Sequence, residues 1–173
     1  MVRKILKASD PFFRLKAKPV QSIDKKIQEI IRDLKDTLII QKDPEGVGLA
    51  APQIGKGLRI FYINHKKTSE VFINPEVLSE GPVMQNPQKE KIMEGCLSLP
   101  HYYGPLVRAS SVKVKYLDET GNEKIKEIKG FLAQIVEHEV DHLDGILFVD
   151  RLLAQKKRLF KLISEEDWEE VDI

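Results

Sequence analysis

His138-Glu139-Val140-Asp141-His142, late in the chain, restricts the fold more than any other segment. It extends a stripe in which Phe131, Ile135, His138 and His142 follow Gly130 at spacings of four, three and four, the period of one helix face. The spacing predicts a helix from Gly130 to about Leu143, stopped by Gly145. Two histidines four apart stand about 40° apart around a helix with roughly 6 Å between Cβ atoms, so both imidazoles reach one metal ion. Glu139 is rotated about 100° from His138, poorly placed as a ligand on that edge but well placed to handle the proton of a water held at the metal. The stripe faces the core, so the two imidazoles point inward and need a partner. The rest of the chain must therefore wrap this helix, bring it a third ligand and leave one position open.

Several residues compete for that third place. The extension of the pentad that would add a histidine puts it at position 148, which is Phe148. A downstream carboxylate is another source, but Glu165 and Glu166 stand in an acidic tail that reads as solvated. His65 lies in the polar turn Asn64-His65-Lys66-Lys67 and reads as exposed. Cys96, His65 and His101 remain as candidates. A lone cysteine is by base rate a small buried hydrophobe, so its surroundings decide. Cys96 sits in Glu94-Gly95-Cys96-Leu97-Ser98-Leu99-Pro100, where Gly95 permits a close or unusual backbone path and Pro100 stiffens the exit. With no second cysteine there is no intramolecular disulfide, and packing alone must hold the fold.

The 173 residues suit one domain, 1–173, with one active site. Lys and Arg number 28 against 27 Asp and Glu, a net charge of +1 that lacks the footprint of a nucleic-acid binder. Lys156, Lys157 and Arg158 read as a solvated helix face. Apolar residues before Asp10 and Pro11 are too few for a signal-peptide core or a spanning helix, so the cytoplasm is the expected compartment.

Ile23, Ile27, Ile30, Ile31, Leu34 and Leu38 predict an amphipathic helix from residue 22 to about 40 with Ser22 as N-cap. Leu58 to Ile63 and Val71 to Ile73 read as buried strands, and Pro75, Gly81, Pro82 and Pro87 as a loop-rich stretch. Val112, Val114 and Tyr116 alternate, then Asp118 to Asn122 turn the chain into a second strand ending near Gly130. Leu152, Leu153, Leu159 and Leu162 predict a surface-packed helix between Asp150 and Ile163. Strands in a run between helices, without a βαβ rhythm, give an α+β class: mostly antiparallel strands around the central HExxH helix, with an N-terminal and a C-terminal helix.

Gly46-Val47-Gly48-Leu49-Ala50-Ala51-Pro52-Gln53 lacks the Gly-Lys-Ser/Thr ending of a phosphate loop and the GxGxxG spacing of a dinucleotide site. Together with Glu94-Gly95-Cys96-Leu97-Ser98 and the HExxH pentad, in that order and at these separations, it resembles the three signature motifs of peptide deformylases at essentially every defining position. The resemblance extends over nearly the whole chain. It implies an enzyme, a metal-dependent amide hydrolase of protein biosynthesis and N-terminal processing, that removes the N-formyl group from the formyl-methionine of nascent polypeptides and releases formate. It implies that Cys96, His138 and His142 hold one divalent ion, usually Fe2+, with Zn2+, Ni2+ or Co2+ as substitutes. Gln53 and the Leu97 N–H would form the oxyanion hole, Glu139 would be the general base, and backbone near Gly48 would bind the peptide as an added strand. Glu137 stands where many members carry Gln.

Phe131 and Ile135 lie on the His138 stripe and, with Val47 opposite, should line an apolar pocket for methionine. Expected partners are formyl-methionyl nascent peptides and, through the C-terminal basic helix, the ribosome. A monomer without membrane contact or sequence-specific nucleic-acid binding is expected. A zinc endopeptidase with a distal glutamate leaves Cys96 and Gln53 unexplained, and a protein with a purely structural metal leaves Glu139 without purpose.

Overall fold

The computed structural model describes residues 1–83 and 93–173. The first helix, α1 (Lys25–Ile39), buries Ile27, Ile30, Ile31, Leu34 and Leu38, the stripe that predicts it. Its cap is Asp24 and not Ser22: the Asp24 carboxylate accepts a bond from the Ile27 N–H at 3.0 Å. A carboxylate there satisfies a free donor and complements the positive end of the helix, whereas Ser22 lies outside the first turn.

The strands are β1 (Gly48–Ala50), β2 (Ile60–His65), β3 (Thr68–Glu80), β4 (Glu94–Cys96), β5 (Leu99–Gly104), β6 (Ser111–Leu117), β7 (Glu123–Lys129), β8 (Leu159–Leu162) and β9 (Trp168–Val171). Between β7 and β8 run α2 (Phe131–Leu143) and α3 (Phe148–Ala154). One sheet has the order β1-β2-β3-β6-β7 and the other β4-β5-β8-β9, with every ladder antiparallel.

The larger sheet is packed on both faces, which explains why β2 reads as a continuous apolar run. Phe61 and Ile63 join Ala133, Ile135 and Val136 of α2 in one core, with Phe72 of β3 and Val112, Val114 and Tyr116 of β6. Ile60 and Tyr62, pointing the other way, join Ile31 and Leu34 of α1 in a second core. The HExxH helix is thus pressed against a sheet whose far side is closed by α1. The hairpin β6–β7 forms as its alternation predicts, and Asp118 ties its turn by accepting bonds from the N–H groups of Thr120 and Asn122.

Two expectations about boundaries change. The loop-rich stretch does not begin at Pro75, because β3 runs on to Glu80. Pro75 brings no N–H to the ladder, and the register shifts between Ile73 and Glu76, beside Asn74 at φ 50°, let the strand pass it. Pro87 lies outside the described residues. The expected helix across Asp150–Ile163 is instead the short α3, a turn with Lys156 at φ 53°, and the strand β8. The edge of β5 at Tyr102 and Tyr103 gives Lys161 and Phe160 backbone partners, and this tertiary pairing overrides the helical spacing of the leucines. Lys156, Lys157 and Arg158 therefore lie in a turn and its exit, not on a helix face. No helix among the described residues is long and apolar enough to cross a membrane.

Candidate metal centre

The second half of α2 presents His138 and His142 to the end of β4, where Cys96 enters the Leu97-Ser98 turn. One ligand atom from each of the three residues lies within 4.8 Å of the others. Cys96 Sγ stands 3.3 Å from His142 Nε2. Ligands bonded at about 2.0–2.3 Å in a tetrahedral arrangement stand roughly 3.3–3.7 Å apart, so this spacing suits a shared ion. One thiolate and two imidazoles are also a donor set for a divalent transition metal. His65 and His101 are not part of the group; His65 packs its ring against Phe131, with centroids 5.1 Å apart. Glu165 and Glu166 are exposed, as their acidic surroundings suggest.

Behind the triad lies a buried network that the motifs alone do not announce. His138 Nδ1 is 2.6 Å from Glu94 Oε1, which leaves Nε2 for the ion. Arg108 donates to Glu94 through Nε and a terminal nitrogen, at 2.9 and 2.6 Å, and through its other terminal nitrogen to Asp141 at 2.8 Å. Arg151 of α3 donates to Asp141 as well. Burial opposes charge on Glu94, but the bonds from Arg108 and His138 outweigh it and draw the carboxyl down to about 2. The available signal was position: Glu94 precedes Cys96 by two residues, a spacing that puts both side chains on one strand face.

The histidines differ. Burial disfavours a proton on His138, yet its bonds to Cys96 and Glu94 hold its pKa well above the ordinary range. His142, buried and beside His138, is held well below that range, and its Nδ1 has no partner among the described residues. Ion binding to such a group releases protons.

Glu139 is buried, and Oε2 has no hydrogen-bond partner among the described residues. Burial lifts its carboxyl to about 7, with the nearby His138 pulling the other way. A carboxyl so placed exchanges a proton near neutrality. Gly48 of β1 makes room for it: a Cβ there would lie 2.5 Å from Glu139 Oε1 and 3.0 Å from Ile135 Cγ2.

Gln53 belongs to the 3-10 turn Ala51–Ile54. Its Oε1 accepts from the Ala50 N–H at 2.9 Å, which aims its amide nitrogen at Ser98 Oγ, 3.2 Å away, and Cys96 Sγ, 3.6 Å away. A cavity of about 200 Å3 opens over Cys96, His138 and Glu139, and Val47, Gly48, Gln53, Leu97, Phe131 and Ile135 all line it. Each residue expected at the site thus borders the cavity except His142, which closes the triad from beneath the lining. Ile135 is buried and Phe131 is exposed. The Glu137 carboxylate accepts from the Ala109 N–H at 3.0 Å.

Known proteins are similar to this chain in sequence and in fold. The polypeptide deformylase family matches residues 2–158. A peptide deformylase of Dictyoglomus turgidum is 41% identical over 156 residues, 90% of this chain and 95% of the relative. One from Pseudothermotoga lettingae is 38% identical over 170 residues, covering 95% and 94%. Among solved structures, a peptide deformylase from Legionella pneumophila superposes with a TM-score of 0.77 at 41% identity, covering 90% of this chain and 92% of that one. A class I type b peptide deformylase from Acinetobacter baumannii, bound to Met-Ala-Ser, gives 0.78 at 32% identity, covering 87% and 98%. The chain belongs to the polypeptide deformylase family, the metal-dependent hydrolases that remove the formyl group from nascent peptides.

Proposed function

We propose that Cys96, His138 and His142 hold a single divalent ion, Fe2+ by family resemblance with Zn2+, Ni2+ or Co2+ as substitutes, and that formyl-methionine is cleaved in the cavity above them. The observation that carries this reading is the convergence of three ligand atoms within 4.8 Å beside a buried carboxylate with an oxygen that has no hydrogen-bond partner among the described residues. A bound ion supplies Lewis acidity, which lowers the pKa of water and polarises a carbonyl. Glu139 accepts a proton from the attacking water and then delivers it to the amine that leaves, a role suited to a carboxyl titrating near 7. The Gln53 amide and the Leu97 N–H receive the formyl oxygen as it gains negative charge.

The peptide binds as a strand added to β1, the edge strand of the larger sheet, whose outer side pairs with no other strand among the described residues. Its methionine side chain enters the apolar wall of Phe131, Ile135 and Val47, and the small formyl group reaches the triad between Gln53 and Leu97. The Met-Ala-Ser held by the Acinetobacter baumannii protein has the form of a deformylated product, which supports methionine in the first position. The same reading has residues 1–173 act as one monomeric domain in the cytoplasm. Contact with the ribosome would fall to Lys156, Lys157 and Arg158, now on a turn.

Steady-state kinetics on formyl-Met, formyl-Gly and acetyl-Met peptides, with metal analysis of anaerobically purified protein, test the proposal. Burying methionine contributes roughly 1.5–3 kcal/mol, so kcat/KM should favour formyl-Met over formyl-Gly by about tenfold or more. Equal values would remove the methionine pocket, and comparable deacetylation would remove the steric selection of formyl.

A further inference from the structure

The two imidazoles of the triad are held in different ways. Glu94 fixes the ring of His138 through Nδ1, but Nδ1 of His142 has no hydrogen-bond partner among the described residues. A histidine that ligates a metal ordinarily gives its second ring nitrogen a polar partner, which sets the angle of the ring. His142 meets the ring of Phe13 instead, with centroids 5.6 Å apart and ring planes tilted by 45°. Phe13 lies outside the three motifs. It is 1% exposed, yet it belongs to none of the apolar cores formed by the described residues. Its burial is against the metal centre.

The backbone around Phe13 is anchored on both sides. Before it, the Ala8 N–H donates to the carbonyl of Ser98, in the turn after Cys96, at 2.8 Å. After it, the Ala17 N–H donates to the carbonyl of Leu143, the residue that follows His142, at 2.9 Å. Phe13 itself sits in the 3-10 turn Pro11–Arg14, capped by Asp10, whose carboxylate accepts from the Phe12 N–H at 2.9 Å. Gly145, just past α2, leaves room for that turn: a Cβ there would lie 2.9 Å from the carbonyl oxygen of Arg14. A ring fixed in this way in a close-packed interior leaves its neighbour few rotations. We propose that Phe13 is a positioning residue for the metal ligand His142, its ring setting the angle of that imidazole as Glu94 sets the angle of His138. This rests on the reading of Cys96, His138 and His142 as the metal ligands.

The test loads metal-free protein with Co2+ and follows affinity, by competition against a chelator, together with visible absorption. The unmodified protein is compared with Phe13→Leu, Phe13→Ala and Phe72→Leu. Phe72 is the control: it is equally buried, but in the core beneath α2, with its ring stacked on Phe61. Each leucine variant removes one buried ring and should be less stable to urea. Only Phe13→Leu should also lose Co2+ affinity, about three- to tenfold, the worth of one aromatic pair. Its ligand-field bands should shift while the thiolate-to-cobalt absorption of Cys96 stays in place. Phe13→Ala should lose more, in the range of about 10–100-fold usual for groups behind a ligand. Unchanged affinity and bands in Phe13→Leu overturn the proposal, as does an equal loss of affinity in Phe72→Leu, which would make the effect a general loosening of the fold. If Phe13→Ala does not fold, the two leucine variants still decide. Failure of the ligand assignment would show separately, as Co2+ bound by the unmodified protein without any thiolate-to-cobalt absorption.

Discussion

Glu139 and Cys96 border the same cavity but make separable contributions. If Cys96 is a ligand, Cys96→Ser removes the one thiolate of the donor set and should lose both tightly bound metal and activity. Glu139→Ala leaves the donor set complete, so the protein should keep its metal while hydrolysis falls by at least ~10²-fold, the usual contribution of a positioned proton carrier. Elemental analysis beside turnover separates the two; an alanine variant that kept nearly full rate would falsify the proton role of Glu139. Glu139 was legible because a helix repeats every few residues and the pentad alone fixed which face carried the imidazoles, whereas Cys96 stood beside His65 and His101 as a candidate until the family resemblance pointed to it. Glu94 and Arg108 were not legible in the same way. Their partners are 44 and 33 residues away in sequence for the His138 and Asp141 contacts, and no local period records a contact that only the folded chain creates.

Helix and strand boundaries follow from what each end can bond to. The stripe that begins at Ile23 predicts Ser22 as the cap of α1, although Asp24 is as good a cap by residue type. The structure selects Asp24 through its bond to the Ile27 N–H. Asp24→Ala should therefore lower stability by about 1 kcal/mol, and Ser22→Ala by much less. Urea denaturation of the two variants checks this, and the reverse order of effects would return the cap to Ser22. The leucines after Asp150 taught a different lesson. Their spacing suits a helix, but β5 offers an open edge whose backbone groups need partners, and the chain satisfies them with β8. Periodicity reports which residues will be buried more reliably than which element buries them, and only the paired edge distinguishes the two.

At the scale of the whole molecule, one buried cluster of charge ties the two sheets' helices to the metal site. Arg108, from the segment after β5, bonds Glu94 of β4 and Asp141 of α2, and Asp141 also receives Arg151 of α3. Glu94 in turn holds His138. Arg108 is only 6% exposed, so its removal leaves a buried Glu94 without its cation. Breaking one member of a buried pair commonly costs about 3–5 kcal/mol, whereas replacing both members by neutral groups costs less. Arg108→Met should thus destabilise the fold by an amount in that range, and Glu94→Gln with Arg108→Met should recover part of it. Metal affinity should not recover, because the carboxylate that orients His138 is gone; groups behind a ligand are commonly worth about 10–100-fold in affinity. Urea unfolding of the metal-free protein and competition against a chelator measure the two effects independently. Restored stability with still-weakened binding is the expected result, since packing and charge balance govern the first while the orientation of one imidazole governs the second. Full recovery of affinity in the double variant would mean that the cluster only fills space, and that His138 finds its position from the α2 backbone alone.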